Sequence, residues 1–218
     1  MTISNLSLAA EPPQIVLNNN QNKPKLLFMA GSSRTESVNK KLAYNAFEIA
    51  KTLGANATFI DLADFPLPIY DGDLESSQGL PSKAIELKKI FAEHDGIFIA
   101  SPEYNSSITP LLKNTLDWIS RSHEAGEMPN KVYNNKVVAL CSASPGHLGG
   151  QRGLIPLQMM LTNIGVIVLP KKVNIAEAYA KFNEKGLLND AQKIQEIEAL
   201  LKEFIRITTA VKNRPAGK

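Results

Sequence analysis

Four short, uninterrupted apolar runs constrain this chain more than any other feature: Leu26-Leu27-Phe28-Met29-Ala30, Ile97-Phe98-Ile99-Ala100, Val137-Val138-Ala139-Leu140-Cys141 and Val166-Ile167-Val168-Leu169. A strand with one wet face alternates polar and apolar residues, whereas a strand covered on both faces stays apolar throughout. The runs are therefore expected to be parallel strands inside a helix-covered sheet, with a weaker fifth strand from Ala57 to Asp61. Helical spacing fills the stretches between them. Leu42, Ala46, Ile49 and Leu53 share one helix face, as do Leu112, Leu116 and Ile119, and then Leu154, Leu157, Leu161 and Ile164. Ser82 to Glu93 reads as a further helix, and Ile194, Ile197, Leu201 and Phe204 mark the last one, capped by Asn189 or Asp190. Thr109-Pro110 begins a helix cleanly, because Thr caps it and Pro takes the first turn, where a missing N–H costs nothing. Five strands alternating with five helices predict a three-layer, doubly wound α/β domain on a five-stranded parallel sheet.

A chain of 218 residues has room for one such domain and not for two of ordinary size. Residues 1–23 are rich in Asn and carry Pro12 and Pro13, so they are expected to form a flexible N-terminal tail before a domain at 24–212, with 213–218 as a C-terminal tail. A net charge of +3 without a clustered basic face argues against a nucleic-acid partner. No apolar run reaches membrane-spanning length, and the start lacks the basic and apolar segments of a secretory signal, which points away from a membrane and to the cytoplasm. Cys141 is the only cysteine, so no intrachain disulfide forms, in keeping with a reducing compartment. The three histidines are scattered and make no metal-spaced cluster.

In a doubly wound sheet a ligand lies beyond the carboxyl ends of the strands, where the winding reverses. The loops after the first, third and fourth strands are the ones that matter. The first, Gly31 to Asn39, runs straight into a helix and is suited to an anion: the helix start offers unpaired N–H groups, Ser32, Ser37 and Asn39 add side-chain donors, and Arg34 adds charge. It lacks the Lys of nucleoside-triphosphate loops and the glycine spacing of the dinucleotide fingerprint, which favours a terminal phosphate on another molecule. Ser37 as a plain cap beside a solvated Arg34 is the competing reading. In the second loop, Ser101 to Ser107, Tyr104 offers a face or edge to a planar ring and Asn105 can donate to ring carbonyls and nitrogens; an ordinary Pro-, Asn- and Ser-rich turn is the alternative. Lys113, Asn114, Asp117 and Trp118 follow on the next helix, where Trp118 reads as core or interface. In the third loop, Ser142 to Arg152, Gly146, Gly149 and Gly150 let backbone N–H groups approach one edge of a flat cofactor. His147 reads as a solvated loop residue, and Arg152 as lying near a coenzyme or a subunit contact.

Together, Gly31-Ser32-x-Arg34-x-x-Ser37-x-Asn39, then Pro102-Glu103-Tyr104-Asn105-x-Ser107 with Leu112-Lys113-Asn114 and Asp117-Trp118, and finally Gly146-x-x-Gly149-Gly150-x-Arg152, resemble the NAD(P)H-dependent FMN reductases, a group that includes quinone, azo-dye and chromate reductases. The resemblance covers nearly all of residues 25 to 210, and the stretch from Asp61 to Asp71 also looks like the group's loop after the second strand. It implies a flavodoxin-like fold, FMN as cofactor and NADPH or NADH as co-substrate. Ser32, Arg34, Ser37, Val38 and Asn39 would hold the FMN phosphate; Pro102, Glu103, Tyr104 and Asn105 would border the isoalloxazine ring; Ala143, Ser144 and Gly146 would approach its pyrimidine side. It further implies that no side chain is catalytic. Flavin N5 takes hydride from the coenzyme and passes it to a quinone-like or other small acceptor in ping-pong order, in a homodimer or homotetramer. A flavin-binding redox sensor or electron-transfer protein with a protein client is the alternative, and a phosphate loop serving another ligand is a third. Two departures stand out: Pro145 lacks an N–H where the group is expected to offer one, and the pattern is not continued after Arg152.

Overall fold

The apolar runs pair with one another into one parallel sheet in the computed structural model, which describes residues 23–214. The tails expected at the two ends, residues 1–22 and 215–218 in particular, lie outside the described residues. Six strands are present: β1 (Lys25–Ala30), β2 (Asn56–Phe59), β3 (Gly96–Ala100), β4 (Val137–Ala143), β5 (Ile167–Val168) and β6 (Val173–Ile175). Their order is β2-β1-β3-β4-β5, with β6 also on β4. The fifth position of the expected sheet is thus shared by two short strands. Ile167 and Val168 pair with Val137 and Val138, and Val173 to Ile175 pair with Cys141 to Ala143. Pro170 lies in the break, where it cannot donate to a ladder.

The described residues form six α-helices, of which all but α2 cover the sheet: α1 (Val38–Thr52), α2 (Gly72–Gln78), α3 (Ser82–Glu93), α4 (Pro110–Ser120), α5 (Gln151–Asn163) and α6 (Ala191–Lys212). Side chains of Ser37, Asp71, Thr109 and Asp190 cap α1, α2, α4 and α6 by accepting backbone N–H groups of the first turn. The helix not foreseen is α2. It has seven residues and buries none of them, so it leaves no apolar period in the sequence.

Alternation along β1 divides the core in two. Leu26 and Phe28 face Leu42 and Ala46 of α1 and Leu201 and Phe204 of α6. Leu27 and Met29 face Leu87 and Phe91 of α3, Leu112 and Leu116 of α4, and Leu154 and Leu157 of α5. All of these are fully or almost fully buried, and a buried side chain of this size contributes about 1.5–3 kcal/mol. Because β1 lies between β2 and β3, the winding reverses between β1 and β3, and the loops after β1, β3 and β4 open at one end.

Candidate functional site

The loop after β1 is fixed at its root and open at its tip. The Gly31 N–H bonds the Ala100 carbonyl at 2.9 Å, and the Thr109 hydroxyl donates to the Gly31 carbonyl at 2.7 Å, tying this loop to the next one. Ser37 caps α1 by accepting from the Lys40 N–H, and Ser32 accepts from the Arg34 N–H at 3.3 Å. The next N–H groups, those of Thr35, Glu36, Val38 and Asn39, find no partner among the described residues, and neither does the exposed Arg34 side chain. Lys40 holds the loop from behind, donating to the Ser33 carbonyl at 3.1 Å and pairing with Asp61 at 2.6 Å. Asn39 has a different task from an exposed donor. Its buried amide gives to the Ala143 carbonyl at 2.8 Å and accepts from the Ala143 N–H at 2.9 Å, a reciprocal pair that locks the first loop to the end of β4.

The second loop turns tightly. Tyr104 and Ser107 exchange backbone hydrogen bonds at 2.9 and 3.0 Å, with Asn105 and Ser106 between them at φ 52° and 65°. Two central residues with positive φ make a type I′ turn, which Asn tolerates and Ser enters at a cost. The turn leaves Tyr104 half-exposed. Glu103, by contrast, points back into the protein and meets the start of α5, bonding the backbone N–H groups of Arg152 and Gly153 and the Arg152 guanidinium. The close approach needs small residues. A Cβ on Gly153 would come 2.9 Å from the Ser107 carbonyl oxygen and 3.2 Å from the Glu103 Cα; one on Gly150, at φ +84°, would meet the Ser142 Cβ at 2.9 Å.

The third loop spends its first amides internally. The N–H of Ala143 goes to Asn39, that of Ser144 to the Ile175 carbonyl at 3.0 Å, and that of Gly146 to the Ser144 hydroxyl at 3.2 Å. The amides of His147 and Leu148 have no partner among the described residues. His147 is almost wholly exposed and pairs with Glu177 at 3.1 Å, a partner 30 residues away that sequence spacing did not suggest. Between the second and third loops lies a cavity of about 460 Å³, bounded by Glu103 and Asn105 on one side and by Ser144, Gly146, His147 and Gly150 on the other. That size suits a small-molecule or cofactor site.

The helix α4 residues noticed in the sequence serve the loop after β2. Asn114 accepts from the Tyr70 N–H and donates to the Pro68 carbonyl, both at 2.8 Å, and the buried Trp118 indole N–H donates to the same carbonyl at 2.8 Å. Tyr70 stands edge-on to Trp118, and its hydroxyl bonds Glu75, which also pairs with Arg121. Lys113 and Asp117 form an exposed pair one turn apart. Two larger cavities lie away from these loops: one of about 650 Å³ between α2 and the end of α4, and one of about 670 Å³ at the far end of the sheet, between α3 and the segment that leads into β4. In the wall of the latter, Lys88 bonds Glu127 and the Arg121 carbonyl, and Lys136 bonds the Ala92 and His94 carbonyls.

The sequence pattern of the family described as NADPH-dependent FMN reductase matches residues 24–180. An NAD(P)H:quinone oxidoreductase of Solanum tuberosum is 34% identical over 186 residues, covering 81% of this chain and 89% of the relative. A quinone reductase of Escherichia coli K12 is 31% identical, covering 68% of this chain and 75% of the relative. Among solved structures, FerB, a flavoenzyme NAD(P)H:(acceptor) oxidoreductase of Paracoccus denitrificans, superposes with a TM-score of 0.70 over 86% of this chain and 98% of that one; at 23% identity this likeness concerns the fold.

Proposed function

The chain belongs to the NADPH-dependent FMN reductase family, and we propose that it is an FMN-dependent NAD(P)H oxidoreductase acting on a quinone-like or other small acceptor. The observation that carries this reading is the set of donors at the start of α1 that have no partner among the described residues, four backbone N–H groups and Arg34, on the loop that Asn39 ties to the end of β4, next to Ser144 in the wall of the cavity of about 460 Å³. The residues fit a flavin mononucleotide. Ser32, Arg34 and Ser37 with the amides of Val38 and Asn39 would receive its phosphate, and the Asn39 side chain would act by joining this loop to Ala143. Pro102, Glu103, Tyr104 and Asn105 would border the ring from one side, and Ala143, Ser144 and Gly146 from the other. The amides left open for its polar edge are those of His147 and Leu148, just past Pro145, while the Ala143, Ser144 and Gly146 N–H groups are held within the protein.

When bound, FMN supplies the hydride chemistry that no side chain here can supply. The protein's part is position and electrostatics. The loops after β3 and β4 are cross-braced by Glu103, so the slot keeps its width as ligands exchange. Tyr104 guards the open side, where coenzyme and acceptor would take turns, and this shared space is why ping-pong kinetics is expected. Among the described residues no helix is long and apolar enough to cross a membrane. We further propose a homodimer or homotetramer, because Leu148, Ile155 and Met159 expose apolar groups along the start of α5 beside the slot.

Anaerobic mixing of the purified protein with NADH and NADPH separately, followed by flavin absorbance, tests the reading. Bleaching by at least one coenzyme and recovery with a quinone is expected. A protein that takes up no FMN would overturn the assignment, and flavin binding without bleaching would favour an electron carrier.

A further inference from the structure

Both oxygens of Glu103 are consumed by a helix that begins 48 residues later. Oε1 accepts from the Arg152 Nε at 2.8 Å and Nη2 at 2.7 Å; Oε2 accepts from the backbone N–H of Arg152 at 2.9 Å and of Gly153 at 3.2 Å. The Glu103 side chain is 8% exposed and that of Arg152 58%. Helix α5 has no cap of its own, since Gly150 at its start offers no side chain. The cap is therefore imported from the loop after β3, and the same carboxylate faces both the partial positive charge of the helix end, roughly +0.5, and the Arg152 guanidinium.

We infer that Glu103 is a positioning residue: it clamps the loop after β3 to α5 and thereby sets the width of the slot, and its pairing with Arg152 sets the electrostatic potential along the slot's wall. The first half stands on geometry alone; the second rests on the FMN reading above. A flavin gains negative charge on reduction, so an unpaired cation beside it raises the midpoint potential and an unpaired carboxylate lowers it. Glu103→Gln leaves Arg152 unpaired, and Arg152→Gln leaves the carboxylate with only the two helix N–H groups. A residue that merely held the fold would move the potential the same way in both variants, or not at all.

The experiment has two readouts. Without flavin, hydrogen exchange in Glu103→Gln is expected to be about tenfold faster at both 103–107 and 150–156, as loss of a charge-assisted bond implies. Arg152→Gln keeps the cap and should preserve much of the protection. With flavin, the midpoint potential should rise in Glu103→Gln, fall in Arg152→Gln and return near the wild-type value in the double variant Glu103→Gln/Arg152→Gln. Unchanged exchange in Glu103→Gln overturns the clamp. Shifts of one sign in both single variants overturn the charge role, and should Glu103→Gln fail to fold, a fall in Arg152→Gln still decides that half. A wild-type protein that binds no FMN removes the proposed function and the charge role, while exchange alone continues to judge the clamp.

Discussion

The two ends of the sheet treat charge in opposite ways. At the far end the larger cavity, about 670 Å³, has a closed ion pair in its wall, Lys88 at 6% exposed and Glu127 at 9% exposed, 2.8 Å apart, while Lys89 and Lys131 at its rim are exposed. At the crevice the cavity is smaller, about 460 Å³, and on the neighbouring loop Arg34 and the amides around the start of α1 have no partner among the described residues. Buried polar groups are normally satisfied. Backbone donors gathered at one helix start, and not volume, therefore mark the crevice as the place prepared for an anionic ligand.

That contrast can be broken by variants at either end. Removing one member of the far-end pair should have the largest effect: Glu127→Gln strands Lys88 and is expected to cost about 3–5 kcal/mol of stability in urea unfolding, without altering FMN affinity. A loss of flavin affinity there would mean that the ends are coupled. The same carboxyl predicts an acid limb. Burial alone would raise it, but hydrogen bonds from Lys88 and from the His123 N–H, with the Lys88 charge, hold it down at about 2. A carboxyl lowered on folding binds its proton more tightly in the unfolded chain, so its contribution is complete above about pH 4.5 and drains away toward about pH 2. The melting temperature of Glu127→Gln should consequently depend less on pH across that window than the wild type's.

Next in size comes the crevice. Arg34→Ala should weaken FMN binding by about 10- to 100-fold, the value of a charge-assisted contact, while riboflavin, which has no phosphate, binds as before. Equal losses for both ligands, measured by fluorescence quenching, would take Arg34 out of the phosphate site. The smallest expected effect concerns Cys141. It is fully buried in β4, and burial pushes its thiol up to about 12. Native protein should resist alkylation at pH 8 and react only on unfolding; labelling of the folded form would bring a thiol into the redox chemistry proposed for the flavin.

The sheet could be read from the chain because a strand buried on both faces carries its signal in every residue, as β1, β3 and β4 do. Elements that bury little, or that are very short, said little. Helix α2 has no buried residue, and β6 is a three-residue strand following Pro170 and two lysines. The three loops were recognisable as short motifs, yet the bonds among them were not. Asn39 reaches Ala143 across 104 residues and Glu103 reaches Arg152 across 49, distances at which no local pattern links donor to acceptor. One trace of the second bond was visible: Gly153, placed inside a helix where glycine is costly, signals that another backbone comes close.

The division of the outermost position between β5 and β6 has a consequence for the protein in a crowded solution. A long, flat rim of unpaired amides invites a neighbouring molecule to extend the sheet. Among the described residues one rim offers the four residues of β2, and the other only two residues and then three, separated by a bend that contains Pro170 and carries Lys171 and Lys172. Such interrupted margins give an incoming strand too few consecutive bonds to hold, so molecule-to-molecule zippering is discouraged by the backbone itself.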